Sequence, residues 1–352
     1  MVRLTITGAG LVRSILDRPS ARLDQTMIER LRIRSWALAV FLVVAATGCR
    51  TDGGRDTQAG APLPGVVTSG KSIAVDNAVV VTADSIASRV GVDVLKRGGN
   101  AVDAAIAVAF ALAVTYPRAG NIGGGGFMLV RMSSGDVDFI DYRETAPSGA
   151  SRDMYLDPKG NVVGDLSTVG HLAAGVPGTV AGLALAHRQY GTLPWSDLVG
   201  YAWRLARDGF PVDSSFVKSI AEEQSLLERY PETKKTFVTS ALSPGDVFRQ
   251  PDLAETLHRL MIEGEEDFYE GKTAGLIVDE MKRGGGLVTK EDLAAYRAKS
   301  REPIRVAYRG CEVISAPLPS SGGIILSELF QILSGWEVGD IGYHSRDHVH
   351  LL

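Results

Sequence analysis

Apolar and polar positions divide the chain into short, well-punctuated segments. A β-branched run at 79–82 predicts a strand. Over 85–97, Ile86, Val90, Val94 and Leu95 share one helical face, and Gly98-Gly99 closes the helix. Asn100 is placed to cap a second helix over 101–114. That helix is apolar nearly all round, so it belongs inside a core, and it is too short to cross a bilayer. Strands are predicted over 127–132 and 137–142, joined by the turn Ser133-Ser134-Gly135-Asp136. From Gly178 onward the pattern is mainly helical: 179–190 stopped by Gly191, 196–207 stopped by Gly209, then 251–262 and 273–281. Thr289 with Asp292 reads as a capping box for a helix running through Tyr296. Residues 305–307 and 312–315 are strand-like, and Ser321 can cap a helix over 322–334. The last residues, His344 to Leu352, pattern as the first turns of an amphipathic helix, with Val349 and Leu352 three apart. Strands mixed with many helices predict an α+β fold with a helix-rich second half.

Composition narrows the function classes. The chain has 352 residues, 45% hydrophobic and 22% charged, which suits a globular domain. A net charge of −4 with no basic patch argues against nucleic acid as a partner. Before the domain, Arg30, Arg32 and Arg34 precede an apolar run over 36–46 and the small residues Ala46-Thr47-Gly48, followed by Cys49. A basic start, a short apolar core and small residues at the cut define a signal peptide. Small residues directly before a cysteine resemble a bacterial lipobox, with Cys49 as the lipidated first residue of the mature protein; plain cleavage nearby is the competing reading. The expected organisation is a mis-assigned extension at 1–26, a signal peptide with lipobox at 27–49, a disordered tether at 50–70, and one domain over 71–352. The protein is then exported, periplasmic or at the cell surface, and held to a bacterial membrane by lipid on Cys49. Cys311, the other of the two cysteines, is expected as a lone buried thiol.

Two dense patches carry the candidate chemistry. Pro117-Arg118-Ala119-Gly120-Asn121-Ile122 runs into Gly123 to Gly126, between two apolar segments. Phosphate-binding loops run strand, glycines, helix; here the order is helix, glycines, strand, and no Lys-Ser or Lys-Thr follows, which excludes a Walker loop. The run is either a tight helix-to-strand connection packed under a neighbour or a place where a ligand approaches the backbone. The second patch, Asp141-Tyr142-Arg143-Glu144-Thr145-Ala146-Pro147, puts an arginine at a strand end. Its planar fork suits a carboxylate ligand, or a surface ion pair with Glu144 or Asp141. His344 and His348 are four apart and could share a helix face, but no metal site is expected, since no cysteine supports them.

Taken together, these stretches resemble the gamma-glutamyltranspeptidase family. The resemblance is carried by Gly98-Gly99-Asn100-Ala101-Val102-Asp103-Ala104-Ala105, by Pro117 to Met128, and by Asp141 to Pro147. It continues through Gly175-Val176-Pro177-Gly178-Thr179-Val180-Ala181-Gly182, Leu205 to Phe210, Asp267 to Gly271, Gly286 to Leu293, and Pro319-Ser320-Ser321-Gly322-Gly323. Tyr116 stands where relatives often have His, and Leu318 interrupts a common triple proline. The resemblance implies an N-terminal-nucleophile hydrolase with an αββα sandwich, here incomplete: the large-subunit part, truncated after Leu352. It implies that Arg143 pairs with the α-carboxylate of γ-glutamyl compounds such as glutathione, and that no cofactor takes part. It also implies that the threonine nucleophile and the oxyanion donors lie beyond Leu352, in a small subunit this chain lacks, so that the chain alone is inactive. A related acylase, a polyglutamate depolymerase and a noncatalytic membrane-tethered remnant are the alternatives.

Overall fold

The computed structural model describes residues 3–5, 75–238 and 241–351. The regions expected as extension, signal peptide and tether, with Cys49, lie outside the described residues, apart from the strand at 3–5. That strand, β1 (Arg3–Thr5), is followed by helices α1 (Ser85–Lys96) and α2 (Ala101–Thr115), then strands β2 (Gly126–Arg131) and β3 (Val137–Tyr142). Next come α3 (Thr179–Tyr190), α4 (Trp195–Asp208), β4 (Phe210–Pro211), and three short helices, α5 (Ser214–Glu222), α6 (Gln224–Leu227) and α7 (Pro231–Phe237). The remainder is β5 (Val247–Phe248), α8 (Pro251–Glu263), α9 (Glu265–Tyr269), α10 (Lys272–Gly284), α11 (Lys290–Ala295), β6 (Lys299–Arg301), β7 (Ile304–Tyr308), β8 (Cys311–Ser315), α12 (Gly322–Ser334) and α13 (Arg346–Leu351).

Helix α2 is the centre of the molecule. Ile106, Phe110, Ala111 and Val114 are fully buried, and α1, α3 and α4 pack around it. A helix apolar on every side gains little orientation from amphipathicity, so its ends must fix it. At the N-terminus, Asn100 and Asp103 form a reciprocal capping box. The buried Asp103 carboxylate also accepts hydrogen bonds from Thr192 N (2.9 Å), Leu193 N (3.3 Å) and the Thr192 hydroxyl, tying α2 to the α3–α4 connection. At the C-terminus, Gln250 Nε2 donates to the otherwise orphaned Val114 carbonyl at 2.8 Å. The Thr115 hydroxyl donates to Asp84, the N-cap of α1, at 2.9 Å.

The sheet is antiparallel, in the order β1-β2-β3-β6. Strict alternation sends Met128, Val130, Ile140 and Tyr142 into the helical core. Phe127, Leu129 and Phe139 lie on the opposite face, with the Phe127 and Phe139 rings 5.3 Å apart. Both faces are therefore apolar, the composition of a sheet inside a layered sandwich.

Several expectations are corrected. Residues 79–82 form no strand: Val80 packs inward, but Val79 and Val81 are exposed and no described strand pairs with them. Cys311 is exposed, because it directly follows the two-residue turn Arg309-Gly310 of the β7–β8 hairpin. Both turn residues have positive φ (50° and 76°), the geometry that matches strand twist. Ser321 occupies the cap position of α12 without a side-chain hydrogen bond; the Ser320 hydroxyl accepts from Gly322 N instead, at 3.2 Å. His344 does not share a helix face with His348. It precedes α13 at φ 58°, and its N–H donates to His348 Nδ1 at 3.0 Å.

Asp103→Ala should cost about 2–3 kcal/mol, because it removes a cap and strands buried donors at once. Chemical denaturation of the variant against the parent measures this, and a loss below about 0.5 kcal/mol would show that α2 is not held there.

Candidate functional site

The glycine loop is a device for close packing. None of Gly123 to Gly126 has positive φ, so space rather than backbone freedom explains them. A Cβ on Gly125 would strike the Tyr142 carbonyl and lie 2.8 Å from Glu144 N. One on Gly126 would lie 2.9 Å from the Tyr142 ring. Gly178 and Gly182, at the start of α3, have no room either: their missing side chains make way for the Tyr296 hydroxyl and the Tyr142 ring respectively. Gly175 completes the set: a Cβ there would lie 2.9 Å from Glu144 Cβ. Gly123 alone in the run faces open space. The loop also spends its own polar groups on this contact. The Gly124 carbonyl accepts from Gly178 N (2.7 Å) and Thr179 N (3.0 Å). Asn121 Oδ1 accepts from Gly124 N (2.8 Å) and the Thr179 hydroxyl (2.9 Å).

What these glycines enclose is the arginine segment. The β2–β3 ladder ends at Gly126 opposite Tyr142, and a single bridge resumes between Thr145 and Val176. Arg143 lies in the gap, where strand pairing no longer satisfies its backbone. Side chains do so instead. Arg143 N donates to Asp141 Oδ1 at 3.0 Å, and the Arg143 carbonyl accepts from the Tyr296 hydroxyl at 2.8 Å. Asp141 is itself held by Arg301 Nε of β6 at 2.6 Å. Tyr296 stacks on Tyr269 with ring centroids 5.8 Å apart, and the Tyr269 hydroxyl donates to the Pro177 carbonyl at 2.9 Å. Burial pushes the Tyr142 and Tyr269 phenols far up; at Tyr296 burial acts first and the charges of Asp141 and Glu144 add to it. Tyr296 therefore keeps its proton and remains a donor.

The Arg143 side chain is 53% exposed, and its Nη1 donates to Glu144 Oε2 at 2.6 Å. The ion-pair reading is the one present: the guanidinium has Glu144 as its carboxylate partner and is also open to solvent. Beyond the segment, Ser148 N donates to Asp292 at 2.9 Å, which links it to the Thr289–Asp292 capping box of α11. Burial raises the Asp292 pKa, but hydrogen bonds from Ser148 and Thr289 outweigh it and hold the carboxyl below its ordinary value. Thr289 is thereby assigned to a cap.

Asn121, Tyr296 and Arg301 were not singled out from sequence. Asn121 is flanked by glycines in a motif, a signal that could have found it; Tyr296 and Arg301 reach the site only through the fold. Among the described residues no group of three or more His, Cys, Asp or Glu is placed to hold a metal. Surface depressions of about 460 Å³ at Arg305–Glu312 and about 430 Å³ around His187, Trp195 and Glu265 are lined by neither Arg143 nor the glycine loop.

The family model for gamma-glutamyltranspeptidase matches residues 87–352. The glutathione hydrolase proenzyme of Escherichia coli (strain K12) is 46% identical over 277 residues, covering 78% of this chain and 48% of that protein. The structure of gamma-glutamyltranspeptidase from Pseudomonas nitroreducens complexed with L-DON superposes with TM-score 0.75 at 45% identity, covering 79% of this chain and 82% of that one. That of Helicobacter pylori gamma-glutamyltranspeptidase gives 0.78 at 40% identity, covering 80% and 81%. The chain spans about half the length of the curated relatives it matches.

Gly182→Ala tests the packing. Alanine improves intrinsic helix propensity by about 1 kcal/mol, but overpacking against a buried ring costs about 1–3 kcal/mol. A net loss is expected by thermal unfolding, while Gly123→Ala should stay within about 0.5 kcal/mol. Acid titration tests Asp292. Its lowered pKa adds stability that is complete above the unfolded carboxylate value near 4 and is lost as pH falls through the folded value. The gap in thermal midpoint between the parent and Asp292→Asn should therefore be widest at pH 6 and shrink toward pH 3.

Proposed function

The chain belongs to the gamma-glutamyltranspeptidase family, an α+β fold of the N-terminal-nucleophile hydrolases, and from that membership we propose that it supplies the substrate-gripping half of a gamma-glutamyltransferase or glutathione hydrolase. It covers the large-subunit part of the family domain, spanning 82% of one matched structural chain but 48% of a whole proenzyme. The substrate class is γ-glutamyl compounds such as glutathione. In this reading a threonine carried by the partner small subunit attacks the γ-carbonyl, the amine leaves, and the glutamyl ester passes to water or to an amino acid or peptide amine. Arg143 holds the glutamyl α-carboxylate, so the carbonyl is presented in one orientation.

The observation that carries this is the half-exposed guanidinium of Arg143, fixed through its own backbone and already bonded to a carboxylate. A planar fork bonds a carboxylate through two parallel donors, which a lysine cannot do. The same chemistry favours a glutamyl substrate over the substrate of a related acylase. It fits a polyglutamate depolymerase equally well, and comparing turnover of glutathione and polyglutamate separates the two.

A polypeptide ending at Leu352 has no nucleophile of its own in this scheme and should neither process itself nor turn over a γ-glutamyl anilide. The apolar outer face of α12, with Ile325 57% and Ile332 62% exposed, supports a second subunit covering it. Export and lipid attachment at Cys49 belong to the same proposal. Mass spectrometry of membrane-extracted protein should find a lipid-modified N-terminal cysteine, and a soluble protein with an unmodified N-terminus elsewhere would refute the anchor.

In the complete enzyme, Arg143→Lys should weaken the donor by on the order of 2 kcal/mol or more, roughly 30-fold in KM. Steady-state kinetics with a γ-glutamyl anilide measures it, and an unchanged KM removes the assignment.

A further inference from the structure

Arg143 sits where the β ladder has stopped, yet both of its peptide groups are bonded. We propose that Tyr296 is a positioning residue for substrate binding: its hydroxyl, held over the Arg143 carbonyl, together with the Asp141–Arg301 pair on the Arg143 N–H, sets where the guanidinium stands. This rests on the reading of Arg143 as the carboxylate-binding residue.

The geometry is specific. The hydroxyl lies 2.8 Å from the Arg143 carbonyl oxygen, across 153 residues of sequence. Tyr296 is 6% exposed and is the C-cap of α11, so its ring enters the core rather than solvent. Its ring is parallel to Tyr269 within 8°, and Tyr269 is anchored by donating to the Pro177 carbonyl and accepting from Ala181 N at 3.2 Å. The path to Arg143 is open only because Gly178 has no side chain. On the other side, Asp141 is 7% exposed and uses one oxygen for Arg143 N and the other for Arg301. The two peptide groups flanking Arg143 are thus gripped from β6 and from the end of α11. A long arginine side chain has many rotamers, and fixing the backbone that carries it narrows the region its fork can reach. Tyr296 never touches the substrate in this scheme; it acts through Arg143.

Tyr296→Phe keeps the ring and the stack and removes only the hydroxyl. In the complete processed enzyme, Tyr296→Phe should raise KM for a γ-glutamyl anilide by about tenfold, the size of one lost buried hydrogen bond, and leave kcat within about twofold. In an Arg143→Met background the same change should add nothing, because there is no guanidinium left to position. A purely structural role predicts instead a lower thermal midpoint with KM unmoved, or equal factors in both backgrounds, and either result overturns the proposal. If Tyr296→Phe does not fold, Arg301→Gln puts the same question from a partly exposed position. It should raise KM by about threefold through a loosened Asp141, and no change there overturns the proposal. If Arg143→Met itself leaves KM unchanged, the carboxylate reading has failed and the positioning role falls with it. If Arg143→Met raises KM while Tyr296→Phe does not, only the positioning role has failed.

Discussion

The packing of Tyr142 against backbone with no side chains between them is the contact on which the rest depends. Gly125, Gly126, Gly178 and Gly182 each leave room for a part of Tyr142 or its immediate neighbours. With that room, the loop after α2, the end of β3 and the start of α3 close on one another. Residues 143–145 then emerge from the core in a single place. Glycine costs backbone entropy wherever it is ordered, so a cluster inside a packed core must return contacts that a larger residue would forbid. Here those contacts are the hydrogen bonds from Gly178 and Thr179 to Gly124, and from Tyr296 to Arg143.

Much of this was legible in the sequence. The helices at 85–97 and 179–190 were readable from a glycine stop, with one apolar face marking the first, and the helix at 101–114 from its capping residue and unbroken apolar run; Asn100 and Thr289 cap as their spacing implies. The short elements were not. β6 is Lys299-Ser300-Arg301, three exposed polar residues that no alternation marks as a strand; its place comes from pairing with β3. The run at 79–82 misled for the opposite reason, since β-branched residues favour extension but cannot supply a neighbouring strand. Cys311 was misjudged because cysteine is usually buried, whereas a position beside a hairpin turn is decided by the turn.

At the site, local chemistry left Arg143 open between a surface ion pair and a carboxylate ligand, and the family resemblance singled it out. Its supports were invisible for a physical reason. Tyr296 and Arg301 lie more than a hundred and fifty residues along the chain, and nothing in their own neighbourhoods signals that they converge on the backbone of one residue. A motif marks the residue that carries it, and leaves unmarked the distant residues that hold its backbone.

The most direct measurement is a crystal structure of the complete enzyme with a γ-glutamyl group trapped on the nucleophile. Both Arg143 terminal nitrogens, or one with Nε, should lie about 2.7–2.9 Å from the two α-carboxylate oxygens. The Tyr296 hydroxyl should still be bonded to the Arg143 carbonyl. An α-carboxylate held by other residues, with Arg143 still paired to Glu144 and out of reach, would contradict the role assigned to this arginine.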